Sequence, residues 1–277
     1  MNMTDLMLTI LRKIAFACAV VLLVSPAILF FFWMLSLSFK NEVDNMAFPP
    51  VFIPNPPTLA NFTTVFENND FLQYFINSLI VTGGAVGIGL AVGIPAGYGI
   101  ARSRSAKYAV LILLARMTPA LSFLIPLYIV FSSLALVGTV WALIISHLVI
   151  TIPIIVWVMM GYFEGLPSEL EDAALVDGCS PWQSFIHIAV PLAKPGIVIA
   201  GILSFIFSWN NFVFSVVLGG RHARTLPSAV YNSMSFEQVS WGPLAASALL
   251  VTLPILVITI LAQRQIVAGL SAGGLKD

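Results

Sequence analysis

The chain has 277 residues, 59% of them hydrophobic and only 9% charged, with a formal net charge of zero. Soluble domains carry about 25% charged residues, so this composition excludes an ordinary soluble enzyme and predicts an all-α, multi-pass membrane protein. The balanced charge gives no reason to expect a nucleic-acid partner, and two cysteines, Cys18 and Cys179, exclude a disulfide framework.

Arg12 and Lys13 precede an uncharged run over residues 14–37. Secretory signals have apolar cores of only ~7–15 residues followed by a small-residue cleavage site, so this run reads as a retained first span. A crossing helix needs ~20 apolar residues. Five further runs meet that length, at about 72–101, 108–133, 140–162, 197–219 and 243–262.

Lys and Arg concentrate on the cytoplasmic side of spans. With the N-terminus inside, the inner set is Arg12, Lys13, Arg102, Arg104, Lys107, Lys194, Arg264 and Lys276, and the outer set is Lys40, Arg221 and Arg224. That excess predicts both termini in the cytoplasm. Residues 41–70 contain the proline-rich "AFPPVFIPNPPT", which favours an extended path. Residues 219–240 carry Arg221, His222, Arg224 and Glu237. Both outer segments exceed simple turns, and either is a candidate to dock a partner.

The second run reads "GGAVGIGLAVGIPAGYG", with Gly83 and Gly87, Gly89 and Gly93, and Gly93 and Gly97 each four apart. Such spacing lets helix backbones approach closely in a membrane. A nucleotide-loop reading fails, because no soluble strand precedes the glycines and the third is misplaced. No Walker A pattern, zincin motif, nucleophile elbow or close Cys/His cluster occurs, so the chain carries no catalytic residues and no metal ligands of its own.

Between the fourth and fifth runs lies a polar insert, "LEDAALVDGCSPWQSFIHIAVPLAKPG". Ser168 with Glu171 fits a capping box, and Glu169, Glu171 and Asp172 place negative charge in the first turns of a short helix. Leu170, Ala173, Ala174 and Asp177 fall on one flat face, and Gly178 occupies the C-terminal cap position. A second helix starts at Ser180 with Pro181 and a Gln183 capping box, carries Trp182, Phe185, Ile186, Ile188 and Ala189, and should end at Pro191 and Pro195. The hairpin is acidic and lacks the basic face of a membrane-surface helix. It reads as a docking element for a cytoplasmic protein.

The spacing Asp172-Ala173-Ala174, Gly178, Ile188-x-Val190-Pro191 resembles the "EAA" loop of ABC-importer permeases, with Asp for the usual Glu and Val190 for the usual Leu. "NSLIV", "ARMTPALSFLIPLY", "SWNNFVF" and "QRQIVAGLSAGGLK" are similar to carbohydrate permeases of the maltose type, and most to the shorter of their two permease subunits; the resemblance covers about residues 70–275. It implies a type I ABC importer permease fold with six transmembrane helices in the bacterial inner membrane. Residues 1–70 would form the first helix and outer loop, 71–263 the transmembrane domain with its coupling loop at 164–196, and 264–277 a cytoplasmic tail.

The implied partners are a second permease subunit, two cytosolic ATPase subunits that use ATP and Mg, and a periplasmic or lipid-anchored solute-binding protein. The ATPase-coupling residues would be Glu171, Asp172, Ala173, Ala174, Asp177, Gly178, Ile188 and Pro191. Because Asp is one methylene shorter than Glu, an inter-subunit ion pair at Asp172 is the contact least supported by the resemblance.

Polar side chains inside spans are candidates for function. Asn77, His147, Trp209, Asn210 and Asn211 are candidates for a substrate path: amides bond sugar hydroxyls, and an indole offers a flat apolar face. For His147 a packing role competes, and for the asparagines bonding between helices competes. Arg116, within the third run, reads as a bundle brace or as a side chain reaching the headgroups. The expected function is import of a sugar or sugar derivative. The rivals are an importer of a polyol, phosphorylated polyol or amino acid, and a stand-alone secondary transporter, which would need ion sites at the midplane.

Overall fold

The computed structural model describes residues 3–68, 70–232 and 240–273. Glu237 and Lys276, which entered the charge reading, lie outside them. All regular structure among the described residues is helical. The chain divides into two compact units, residues 1–69 with 232–250, and residues 70–231 with 251–277.

In the first unit, α1 (Met3–Ser38) is the first apolar span, with Leu22 and Leu23 about four-fifths exposed, as suits side chains that face lipid. A short α2 (Glu42–Asn45) and α3 (Ala60–Asn68) follow in the outer segment. Asn61 donates to the carbonyls of Ser38 (2.9 Å) and Lys40 (2.7 Å), which ties α3 to the end of α1. The Glu42 carboxylate accepts from the backbone N–H groups of Trp241 and Gly242 at the start of the last helix.

The second unit is built on α4 (Phe71–Ser103) packed along α7 (Val140–Glu164). Gly89, Gly93 and Gly97 line the contact: a Cβ on Gly93 would stand 2.6 Å from Ile155, and one on Gly97 would stand 2.8 Å from Met159 Cβ. Gly83 and Gly87 have nothing within 4 Å of such a Cβ. Gly84 also approaches α7, where a Cβ would stand 2.9 Å from Ile144 Cδ1, so the close-packed stripe is one face of α4 through Gly84, Gly89, Gly93 and Gly97 rather than all the spaced pairs. Between these helices run α5 (Ala106–Met117), a 3-10 turn at Ala120–Phe123, and α6 (Leu124–Ser133).

Beyond α7 come α8 (Glu169–Val176), α9 (Pro181–Ser184), a π-turn at Phe185–Ala189 and α10 (Val190–Leu192). The chain continues into α11 (Lys194–Trp209), α12 (Val213–Leu218) and α13 (Pro227–Asn232). The last helix, α14 (Trp241–Gly273), contributes to both units.

Among the described residues four helices are long and apolar enough to cross a membrane, and up to six spans result if each sharply bent pair counts as one. Two of the expected straight spans are broken. The third bends by 86° between Ala106–Met117 and Ala120–Ser133. The other bent pair joins Pro181–Leu192 to Lys194–Trp209 at 74°, and the fifth run is interrupted separately, ending at Trp209 and resuming at Val213. It also begins earlier than its hydropathy indicates, because Pro195 lies in the first turn of α11 and starts that helix instead of ending the one before. Pro191 likewise continues the chain into α10. It has no N–H for the carbonyl of His187, and the segment directly before it is wound as a π-turn, with the Val190 N–H on the Phe185 carbonyl.

Candidate functional site

The hairpin is held by one charged cluster. The Arg102 guanidinium, in the last turn of α4, forms an ion pair with Glu171 and donates to the carbonyl of Phe163 at 3.0 Å. The Tyr98 hydroxyl donates to the same carboxylate at 2.6 Å. Tyr98, Phe163 and Phe185 pack ring against ring, with centroids 4.7 to 6.4 Å apart. Three elements, the ends of α4 and α7 and the hairpin, thus meet at a single carboxylate.

This overturns the first capping box. Ser168 has helical dihedrals and its side chain makes no cap bond, because the Glu171 side chain is bound to Arg102 and Tyr98 instead of turning back to the helix start. The second box, Ser180 with Gln183, forms in both directions. Gly178 has φ +92°, with its N–H on the Leu175 carbonyl and that of Cys179 on the Ala174 carbonyl. These two bonds make a Schellman stop, which needs a left-handed residue at that point.

The outward surface of α8 is formed by Leu170, Asp172, Ala173, Val176 and Asp177, all exposed, with Val176 88% exposed. Glu171 and Ala174 turn inward, so the predicted four-residue face is split and Ala174 belongs to the packing side. Ile188 is half-buried in the π-turn and Pro191 is exposed. An exposed apolar side chain at the tip of a polar hairpin, on a base held by an ion pair, suits a rigid contact with another protein.

A second site lies where the two spans break. A cavity of about 720 Å³ is lined by Arg116, Thr118, Pro119, Pro153, Asn210 and Asn211 among others. Non-helical backbone at membrane depth is tolerated only where protein buries it or where it lines a water-filled cavity, and both breaks open onto this one. Asn210 donates to the Ile206 carbonyl at 3.0 Å, which leaves its own carbonyl oxygen open. Asn211 accepts from the Phe214 N–H at 3.1 Å, which leaves its amide donors open. Arg116 is exposed and has no hydrogen-bond or ion-pair partner among the described residues.

The other three candidates stand elsewhere. Trp209 is 1% exposed, donates its indole N–H to the Val251 carbonyl at 3.0 Å and stacks on Phe205. His147 is fully buried, with Nδ1 2.7 Å from the Ser208 hydroxyl. Asn77 donates to the carbonyls of His222 (2.8 Å) and Arg224 (2.9 Å), which fastens the loop after α12 to α4. Asn210 and Asn211 line the same cavity as Arg116, whereas Trp209, His147 and Asn77 make their contacts within the fold, away from it. Sequence reasoning passed over Tyr98 and Arg102, although their i, i+4 spacing on α4 and the nearby acidic hairpin were available signals. Among the described residues no group of three His, Cys, Asp or Glu side chains could hold a metal ion.

A helical membrane protein with broken spans around a cavity that holds a few polar groups, and a braced hairpin at one end, has the form of a transport permease. Residues 89–271 match the family model described as "Binding-protein-dependent transport system inner membrane component", and the chain belongs to that family. It is 31% identical to the sulfoquinovosyl glycerol transport system permease protein SmoH of Agrobacterium fabrum, over 96% of this chain and 94% of the relative. It is 34% identical to the trehalose transport system permease protein SugB of Mycobacterium tuberculosis, over 92% and 94%. A crystal structure of a bacterial ABC transporter involved in the import of the acidic polysaccharide alginate matches with TM-score 0.71 and 19% identity, covering 95% of this chain and 98% of that one.

Proposed function

We propose that this chain is one of two permease subunits of an ATP-driven importer that carries a sugar or sugar derivative across the bacterial inner membrane. In this reading a solute-binding protein delivers the sugar at the outer face, and two cytosolic ATPase subunits drive the cycle. Both termini and the hairpin lie on the cytoplasmic side, in keeping with the excess of Lys and Arg there. The observation that carries the reading is the convergence of two broken spans on one mostly apolar cavity, with Asn210 and Asn211 holding an open acceptor and open donors at its wall. Hydroxyl-rich solutes need both. The sugar-transport names of relatives above 30% identity support the substrate class.

The exposed surface of α8, with Val176 at its tip, seats in a groove on an ATPase subunit. When the ATPase pair closes on ATP, the hairpin moves. The Arg102–Glu171 pair passes that motion to α4 and α7 and shifts the permease between its inward- and outward-facing states. The chain performs no bond chemistry itself; ATP and Mg are handled by the partner subunits.

The test is reconstitution. Gentle solubilisation of the native membrane should co-purify this chain with a second permease and an ATPase, and liposomes holding that complex should import sugar only with ATP and the binding protein. Transport by the isolated chain, driven by an ion gradient, would establish the secondary-transporter alternative instead.

A further inference from the structure

We propose that Arg116 makes the cavity selective for an acidic sugar, bound through its carboxylate, sulfonate or phosphate group. This rests on the reading of the chain as a sugar permease and narrows it. Arg116 stands ten residues after Ala106, where α5 begins beside the base of the hairpin. It is eight residues into the apolar run that begins near residue 108, about 12 Å along the helix at ~1.5 Å per residue, well inside a ~30 Å hydrocarbon core for a helix that crosses it. A guanidinium cannot be neutralised by losing its proton in a protein, so at this depth it needs water or an anion.

Among the described residues this chain supplies no anion. Arg116 has no carboxylate or carbonyl partner among the described residues, and the cavity wall around it consists of apolar side chains, Thr118 and the two asparagines. Thr118 donates its hydroxyl to the Leu114 carbonyl at 2.9 Å and can only accept from a ligand. The wall therefore combines one unpaired fork of five N–H donors, an amide acceptor at Asn210, amide donors at Asn211 and a hydroxyl acceptor at Thr118. An arginine fork matches a carboxylate, sulfonate or phosphate with two parallel bonds, while the amides and hydroxyl match ring hydroxyls. The cavity, about 720 Å³, is within the ~300–1,000 Å³ usual for small-ligand sites. A phospholipid headgroup would offer Arg116 the same anionic chemistry, but it would have to be drawn to mid-membrane past α5. A solute in the cavity meets the guanidinium directly.

Two measurements on the intact complex decide the matter. First, the cognate binding protein is titrated with galacturonate, glucuronate and hexose phosphates, and with galactose and glucose as neutral counterparts. Second, ATP-driven uptake of the sugars it binds is measured for the native chain, Arg116→Gln and Arg116→Lys, in phosphatidylcholine and in phosphatidylglycerol liposomes. The expected result is a binding protein that prefers acidic sugars. Uptake should fall roughly tenfold or more with Arg116→Gln in both lipids, with a large part retained by Arg116→Lys. A binding protein that takes only neutral sugars, with Arg116→Gln transporting them normally, overturns the proposal and leaves the sugar reading intact. A defect confined to phosphatidylglycerol assigns Arg116 to lipid and overturns it. Failure of Arg116→Gln and Arg116→Lys alike to assemble, with a binding protein that takes neutral sugars, makes Arg116 a brace and also overturns it. A binding protein that takes no sugar at all removes the underlying function as well.

Discussion

Arg102 and Glu171 stand 69 residues apart in the sequence and form an ion pair that fixes the first turn of the hairpin to the last turn of α4. Glu171 is 7% exposed and shares its carboxylate with the Tyr98 hydroxyl. Removing one partner leaves the other charge in a nearly dry place. A fully buried pair loses ~3–5 kcal/mol when broken this way, and exposed pairs about 0–1. With the Arg102 side chain 24% exposed, about 1–3 kcal/mol is the expected scale. Because the contact is local to the hairpin base, the loss should appear as uncoupling rather than unfolding. We expect Glu171→Gln and Arg102→Gln to keep the chain in the membrane and in the complex while ATP-driven uptake falls at least about fivefold. Uptake and ATPase rate measured on the same liposomes check this; normal uptake in both variants would remove the pair from the coupling path.

Gly178 offers a separate test of the hairpin. No atom lies within 4 Å of the Cβ that a larger residue would add, so space is not the constraint; φ +92° is. Non-glycine residues held in that region cost ~1–3 kcal/mol, β-branched ones most. Asn tolerates it better. Gly178→Val should therefore depress uptake strongly, Gly178→Ala less and Gly178→Asn least, with membrane levels unchanged. Uptake assays across the three variants check the order. An equal loss in all three would place the cause in lost contact with a partner and not in the turn.

The spans and the hairpin were legible because lipid and capping each impose a local rule, a long apolar run in one case and fixed spacings in the other. The two breaks were not. The segments on both sides of Thr118 and of Asn210 stay apolar, and hydropathy carries no information about direction. Pro119 is no clearer a signal, since Pro26, Pro95, Pro153 and Pro254 all lie inside continuous helices. The Glu171 capping box failed for a related reason: its spacing is local, while the side chain's strongest partner is on another helix. Trp209 offers a flat aromatic ring in the sequence, yet its N–H is bound and its ring stacks on Phe205 and meets Phe75 edge-on within the fold. Only the three-dimensional arrangement brings Arg116 beside Asn210 and Asn211.

The glycine stripe separates into positions that differ in consequence. A Cβ on Gly97 would stand 2.8 Å from Met159 Cβ and 3.0 Å from the Met160 backbone nitrogen, contacts that no side-chain rotation relieves. On Gly99 the same atom meets nothing within 4 Å. Overpacking of this kind costs ~1–3 kcal/mol, and it would force α4 away from α7 at the level of the hairpin base. We expect Gly97→Ala to lower the thermal stability of the detergent-solubilised complex and Gly97→Leu to lower membrane levels several-fold. Gly99→Ala should be neutral or slightly stabilising, because alanine is the better helix former. Thermal-shift measurements and membrane immunoblots of the three variants compare them directly.

Lys40 provides a pH-dependent case outside the spans. It is 1% exposed, its ammonium has no hydrogen-bond partner among the described residues, and it lies 4.3 Å from the centre of the Trp33 ring. Burial lowers its pKa from the usual 10.5, and the nearby Asp44 charge offsets this only in part. For a cationic group the sign follows directly: a folded pKa below the unfolded one means that the protonated chain loses stability on folding. That penalty is full below the folded pKa and vanishes as the pH rises to 10.5, where both states are neutral. Lys40→Met removes the charge and keeps most of the apolar stem, which packs against Trp33. We expect this variant to be at least as stable as the native chain at pH 7, with its advantage shrinking steadily between the folded pKa and pH 10.5. Thermal unfolding in detergent from pH 7 to pH 10.5 measures the difference. A variant less stable at pH 7, with the gap constant across that range, would mean that the contact of the ammonium with the Trp33 ring outweighs the cost of burying it.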